Sequence, residues 1–205
     1  MPKEVYFMTQ VVELTSLKNL PAQGEWRYED YLNLPDDGHR YEIIEGVLYV
    51  TNAPDIDHQF AVIKLVVQLE NYVTKNNLGF VLTAPFEIHL SETSRPVLPD
   101  VIFIKTNRWP GPGAKFFTGA PDLIVEVLSP GTSRTDRSVK LTAYEQAGVP
   151  EYWIANPKTR SVVVFTLTES EYTELGEFAG DEIIQSGVLP DLKIVTQSLF
   201  QTSRP

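Results

Sequence analysis

Residues 121–153, PDLIVEVLSPGTSRTDRSVKLTAYEQAGVPEYW, read in order as strand, turn, helix and strand. Leu123, Ile124, Val125, Val127 and Leu128 form an apolar run too short for a helix. Pro121 bounds it on one side and Ser129-Pro130-Gly131 on the other, the pattern of a strand buried on both faces. Glu126 interrupts the run. An unpartnered buried carboxylate is so costly that such groups are paired, protonated or bound to metal, so this strand demands a counter-charge.

The following segment offers one. Thr132 or Ser133 would cap a helix running to about Ala147, with Gly148 placed to end it. Asp136, Lys140 and Tyr144 recur on it at i, i+4 and i+8 and share a stripe. From that stripe Lys140 can point back to the strand end that presents Glu126.

At these residues the chain resembles the PD-(D/E)xK nuclease superfamily, the fold of many restriction endonucleases, and within it a small bacterial branch. The resemblance runs from about Glu29 to Pro190 and rests on four stretches: RYEIIEGVLYV from Arg40, LPDVIFI from Leu98, the stretch quoted above continued to Ile154, and GVLPDLKI from Gly187. A Pro-Asp pair alone carries little, as its third occurrence at Pro190-Asp191 shows. In the usual superfamily pattern the acid and the lysine sit two apart on one strand and share a face. Here Leu128 occupies that position. The branch places its lysine on the following helix instead, and Lys140 matches it.

The resemblance implies an α/β fold: a restriction-endonuclease-like core whose mixed central sheet is flanked by helices and extended by β-hairpins. It implies catalytic roles for Asp100, Glu126, Lys140 and Glu42, with Asp100, Glu126 and Glu42 holding a divalent cation. Oxygen donors favour Mg2+ or Mn2+ over zinc. The implied reaction is endonucleolytic hydrolysis of phosphodiester bonds in DNA, with Lys140 orienting the attacking water or offsetting charge. Paired cuts in a duplex are easiest for a twofold homodimer. Asp136 either steadies Lys140 or gives ordinary helix support. His58 and Gln59 fall at the site edge, although a lone histidine in a helix first turn is more often structural than catalytic. Asp100, taken alone, also reads as a turn aspartate bonding its own backbone after proline.

Composition pulls the other way. A net charge of −10 disfavours broad contact with phosphates. Lys105, Arg108, Lys115, Arg134, Arg137 and Lys140 nonetheless cluster in sequence, and Arg108, Lys115, Arg134 and Arg137 form a candidate nucleic-acid rim. The plain alternative is a solvated, mixed-charge surface. With no cysteine, disulfides and thiolate metal sites are excluded. Neither a signal-peptide core nor a membrane-length apolar run is present in the sequence, so a cytoplasmic protein is expected. The expected organisation is an N-terminal arm over residues 1–24 and a single domain over residues 25–205.

Elsewhere the pattern suggests a short helix around Tyr28–Leu32, a strand from Tyr41 to Val50 bent at Gly46, and a long helix from Asp57 to Asn76. A strand from Gly79 to Leu90 would turn Glu87 and His89 to solvent, and another would run from Val97 to Ile104. The loop from Asn107 to Ala120 carries Trp109, Phe116 and Phe117, either to stack on bases or to pin the loop to the core. An antiparallel meander follows Glu151, with a final strand over Glu182–Gln185. Two functions remain: a metal-dependent DNA endonuclease, or a catalytically inactive nuclease fold serving as an interaction or regulatory module.

Overall fold

The computed structural model describes residues 4–6, 11–13, 20–51, 54–129 and 136–201. Thr132, Ser133 and Arg134 lie outside the described residues, as do the side chains of Asp136 and Arg137. In chain order the strands are β1 (Glu4–Tyr6), β2 (Val11–Glu13), β3 (Arg40–Ile44), β4 (Val47–Thr51), β5 (Gly79–Thr83), β6 (Glu87–His89), β7 (Val101–Lys105), β8 (Phe116–Thr118), β9 (Leu123–Val127), β10 (Glu151–Asn156), β11 (Ser161–Thr168) and β12 (Glu171–Ala179). The helices are α1 (Tyr28–Tyr31), α2 (Ile56–Lys75) and α3 (Leu141–Ala147), the last entered through a π-helical turn, Asp136–Lys140.

Six strands form the central sheet in the order β12-β11-β10-β9-β7-β5. Only β9 and β10 pair in parallel, so the sheet is mixed. Every residue of β9 is buried, Glu126 included, as its largely apolar run requires of a strand with neighbours on both edges and cover on both faces. Alternation sorts the side chains between two cores. Val101, Phe103, Val125 and Trp153 meet Ala61, Leu65, Leu69 and Val73, the buried stripe of α2. Ile102, Ile124, Tyr152 and Ile154 meet Ala143 and Tyr144 of α3 on the other face. Burying each such large side chain contributes roughly 1.5–3 kcal/mol.

α2 starts where Asp55 accepts a hydrogen bond from the His58 backbone N–H, with Asp57 in the first turn and Lys75 in the last complementing the helix dipole. α3 ends at Gly148, which takes the left-handed conformation at φ 80°. Among the described residues no helix is long and apolar enough to cross a membrane.

Several expectations shift. The strand expected over 41–50 is a hairpin, β3 and β4, turning at Glu45 and Gly46 with φ of 49° and 70°. Two consecutive left-handed residues are what a two-residue hairpin loop requires. The strand expected over 79–90 breaks at Pro85, which lacks an N–H for the ladder. Its second half, β6, pairs with β8 in a separate parallel ribbon. His89 is therefore buried rather than solvated: its ring stacks on Phe116 at 4.4 Å and meets Tyr28 edge-on at 4.8 Å. Glu87 accepts one hydrogen bond from the Tyr28 hydroxyl and bonds the His89 ring. Residues 182–185 make an isolated bridge through Ile183 instead of a strand. Of the loop aromatics, Phe117 is core and Trp109 stacks on Phe80 at 4.0 Å, while Phe116 keeps an exposed edge.

The β3–β4 hairpin is docked by backbone bonds. Gly46 O accepts from the N–H groups of Gly24 and Trp26, and Gly46 N–H donates to Thr93 O. Residues 20–24, the end of the expected arm, thus pack on the hairpin, where the Gln23 side chain also pairs with both backbone groups of Leu48. A Cβ on Gly46 would lie 2.4 Å from Gly24 O. Gly46→Ala is therefore expected to cost at least roughly 2 kcal/mol, combining left-handed strain with a backbone clash. A urea denaturation midpoint unchanged from wild type would show that the hairpin docks some other way.

Candidate active site

Glu126, one residue from the end of β9, points to the face covered by α3 and is 3% exposed. Its Oε1 accepts from Lys140 Nζ at 2.9 Å and from the Tyr144 hydroxyl at 2.6 Å. Lys140 closes the π-helical turn before α3 and is as deeply buried as its partner. The same Nζ stands 3.0 Å from Glu42 Oε2. Glu42 comes from β3, and its other oxygen accepts the Leu98 N–H at 2.7 Å. One buried ammonium thus bridges two buried glutamates from two separate sheets.

Asp100 immediately precedes β7. The β7–β9 register pairs Val101 with Val125, so one step further along Asp100 stands opposite Glu126 and shares its face with Ile102. The Asp100 carboxylate accepts from the Val127 N–H at 2.9 Å, which ties it to β9. Its oxygens also meet Arg40 Nη1 at 3.2 Å and His58 Nε2 at 3.0 Å. Arg40 starts β3, two residues before Glu42 and on the same face, and its guanidinium donates as well to Leu98 O. His58 projects from the first turn of α2.

These contacts decide the protonation states. For Asp100, burial alone would raise the pKa. The His58 hydrogen bond and charge, Arg40 and the Val127 N–H outweigh it, leaving the pKa at about 2 against an ordinary 3.8. Burial likewise opposes ionisation of Glu42, but Lys140, Arg40 and the Leu98 N–H hold its pKa below the ordinary value. Burial pushes the Tyr144 hydroxyl well up, reinforced by the Glu126 charge, so it remains a donor. Two of the facing carboxylates are thus held as anions inside the protein.

Structure and sequence expectation meet unevenly. Glu42, Glu126 and Lys140 come together, with Asp100 across the strand from Glu126 and His58 bonded to Asp100. Gln59 stays exposed beside them. Arg108 pairs with Asp122 at 3.2 Å and donates to Ala120 O, at the opposite end of β9 from Glu126. Lys115 is exposed on the loop before β8. The sequence expectation gave no role to Arg40 and none to Tyr144 beyond its place on the helical stripe. The signals were available: Arg40 shares a strand face with Glu42, and Tyr144 shares a helix stripe with Lys140.

Not every buried acid belongs here. Glu151 is fully buried, but it accepts from Trp153 Nε1, the Ser186 hydroxyl and the N–H groups of Gly187 and Val188. Those neutral donors pin the C-terminal loop to β10.

Whether Asp100, Glu126 and Glu42 suit a divalent ion turns on donor type and placement. All are hard oxygen donors, as magnesium or manganese prefers, and two face each other on adjacent strands. Among the described residues no three acids or histidines already form a cation cage. The reason is visible: Lys140 lies between Glu42 and Glu126, while Arg40 and His58 hold Asp100. The residues fit a hard cation in chemistry, with Asp100, held by Arg40, His58 and the Val127 N–H, the most fully engaged by protein donors.

Comparison with known proteins bears on the family and the fold. The profile of the Uma2 family, described as "Putative restriction endonuclease", matches residues 28–197. Among solved structures, the fold is similar to "a putative nuclease belonging to DUF820" from Anabaena variabilis ATCC 29413, with a TM-score of 0.72 and 20% identity over 85% of this chain and 97% of that one. Identity at that level speaks for the fold alone. No curated protein matches the sequence.

Removing Lys140 would leave two buried carboxylates facing each other. Lys140→Ala is expected to lose about 3–5 kcal/mol in denaturant titrations, the usual cost of orphaning a buried charge. A loss below about 1 kcal/mol would mean that the pair is solvated in practice. Because the Asp100 pKa is depressed on folding, its contribution is present above the ordinary 3.8 and is lost as pH falls toward about 2. With chelator present, Asp100→Asn should remove on the order of 2 kcal/mol of stability at neutral pH and flatten the decline between those two values. Parallel stability–pH curves for variant and wild type would contradict this.

Proposed function

The chain belongs to the Uma2 family, described as "Putative restriction endonuclease", and from that membership we propose that it is a metal-dependent endonuclease hydrolysing phosphodiester bonds in DNA. The observation that carries the reading is the convergence, on one face of the central sheet, of Asp100, Glu126 and Glu42 with a buried lysine. Building a stable fold does not call for such a cluster, since well-packed apolar residues of similar volume serve as well or better.

A magnesium or manganese ion held by Asp100 and Glu126, with Glu42 beside them, would supply Lewis-acid polarisation of the phosphate and a lowered pKa for water. The protein's own residues prepare the site. Arg40 and His58 keep Asp100 ionised, and the Val127 N–H fixes its angle. Tyr144 holds Glu126 in one orientation through Oε1. Lys140 reaches two carboxylates at once, so a modest shift of its flexible stem would bring the ammonium to an attacking water or to the charge developing on phosphate.

A second reading draws on the same contacts. Lys140, Arg40 and His58 already balance the acids, as they would in a nuclease fold retained only for interaction. The two readings part on one experiment: nicking of supercoiled plasmid with magnesium or manganese at low salt, comparing wild type with Asp100→Asn and Glu126→Gln. Either variant is expected to lose at least about 100-fold in rate, with a folded circular dichroism spectrum. Wild-type protein that neither binds the ions by calorimetry nor cuts DNA or RNA would favour the interaction module.

A further inference from the structure

Beside the acidic cluster lies a cavity of about 440 Å³. Asp100, Arg40 and His58 line it along with the outer side of α2, where Ile63 and Val67 remain 54% and 52% exposed, and Pro85 beyond β5. The volume lies in the range of about 300–1,000 Å³ typical of small-ligand pockets, and apolar walls with a few polar groups are their usual lining. The buried Nδ1 of His58 has no hydrogen-bond partner among the described residues, and the exposed Gln59 amide lines the same cavity. Large exposed aliphatic residues next to a buried ion network are costly to leave facing water unless something covers them.

We propose that this cavity receives one unstacked base, so that the preferred substrate is a nucleic acid with an unpaired nucleotide beside the bond to be cut. The inference rests on the nuclease reading. Continuity with Asp100 places the pocket within one nucleotide of the candidate chemistry. A base in a duplex is stacked and paired and reaches such a pocket only by being extruded, which is least costly where it is already unpaired. Charge points the same way. A chain with net charge −10 is poorly suited to tracking phosphates along a duplex, and Lys105 and Arg108 are engaged with Asp122 at the other end of β9. Burial of a heterocycle supplies affinity that phosphate contacts do not. Gln59 offers a donor and an acceptor to a base edge.

The test uses the full chain carrying Glu126→Gln, so that binding is read without cleavage, and duplexes in which a fluorescent purine analogue is either paired or bulged. Binding of the bulged probe is expected to be about tenfold tighter or more than of the paired one, with a change in probe fluorescence on burial. Adding Ile63→Trp, which fills the cavity from an exposed position, should remove that preference, and an abasic bulge should lack it from the start. Equal binding of paired, bulged and abasic probes, or an unaffected preference in the Ile63→Trp protein, overturns the pocket. The nuclease reading then still stands if plasmid nicking requires Glu126. Binding of no oligonucleotide, together with no nicking, overturns both. Should Ile63→Trp instead convert a dimer to a monomer on size exclusion while leaving probe binding unchanged, the face is a contact between copies and the proposal fails.

Discussion

The carboxylate of Glu126, held inside a fully buried strand, constrains the rest of this structure. Val125 and Val127 face the α2 core, so the strand cannot roll to release the acid without exposing them. Neutralisation has to come from the opposite face. That requirement places Lys140 there, and with it the turn that leads into α3. Lys140 in turn reaches Glu42, so the β3–β4 hairpin, which belongs to a separate two-stranded sheet, is drawn against the central one. A single ammonium thereby links strand, helix and hairpin.

The second centre of the site lies just outside a strand. Asp100 stands just before β7, where elements from both layers can approach: α2 contributes His58, β3 contributes Arg40, and β9 contributes a backbone N–H. Three segments far apart in sequence therefore fix one side chain. Their donors overcome the cost of burial and keep the acid ionised, the state in which a carboxylate can hold a cation. α2 serves two purposes, since its buried stripe packs on the sheet while its outer side walls the adjacent cavity.

Local patterns made much of the frame readable. The apolar run of β9, the helical stripe of α2 with Asp55 as cap, and the glycine stop after α3 each follow from residues within one or two turns of each other. The misreadings share a cause. Tyr41–Val50 and Gly79–Leu90 both carry strand composition throughout. What divides them is a left-handed pair in one case and a proline in the other. His89 reads as polar and outward by alternation, yet Phe116 and Tyr28 arrive from distant segments to cover it.

Sequence alone determined where charge falls in apolar surroundings: an acid stranded in an apolar run, a lysine on the next helix at the spacing that lets it turn back, and an acid at the entrance to a neighbouring strand. These are consequences of period and burial, which a chain carries locally. The tertiary structure decided the partnerships. That Arg40 and His58 meet Asp100, that Tyr144 bonds Glu126 as well as packing, and that Lys140 spans two glutamates depend on strand register and on which layer covers which face. Those pairings join residues from 14 positions apart, Lys140 with Glu126, to 98 apart, Lys140 with Glu42, and over such separations only the packed core, not the local pattern, brings charges within hydrogen-bonding distance.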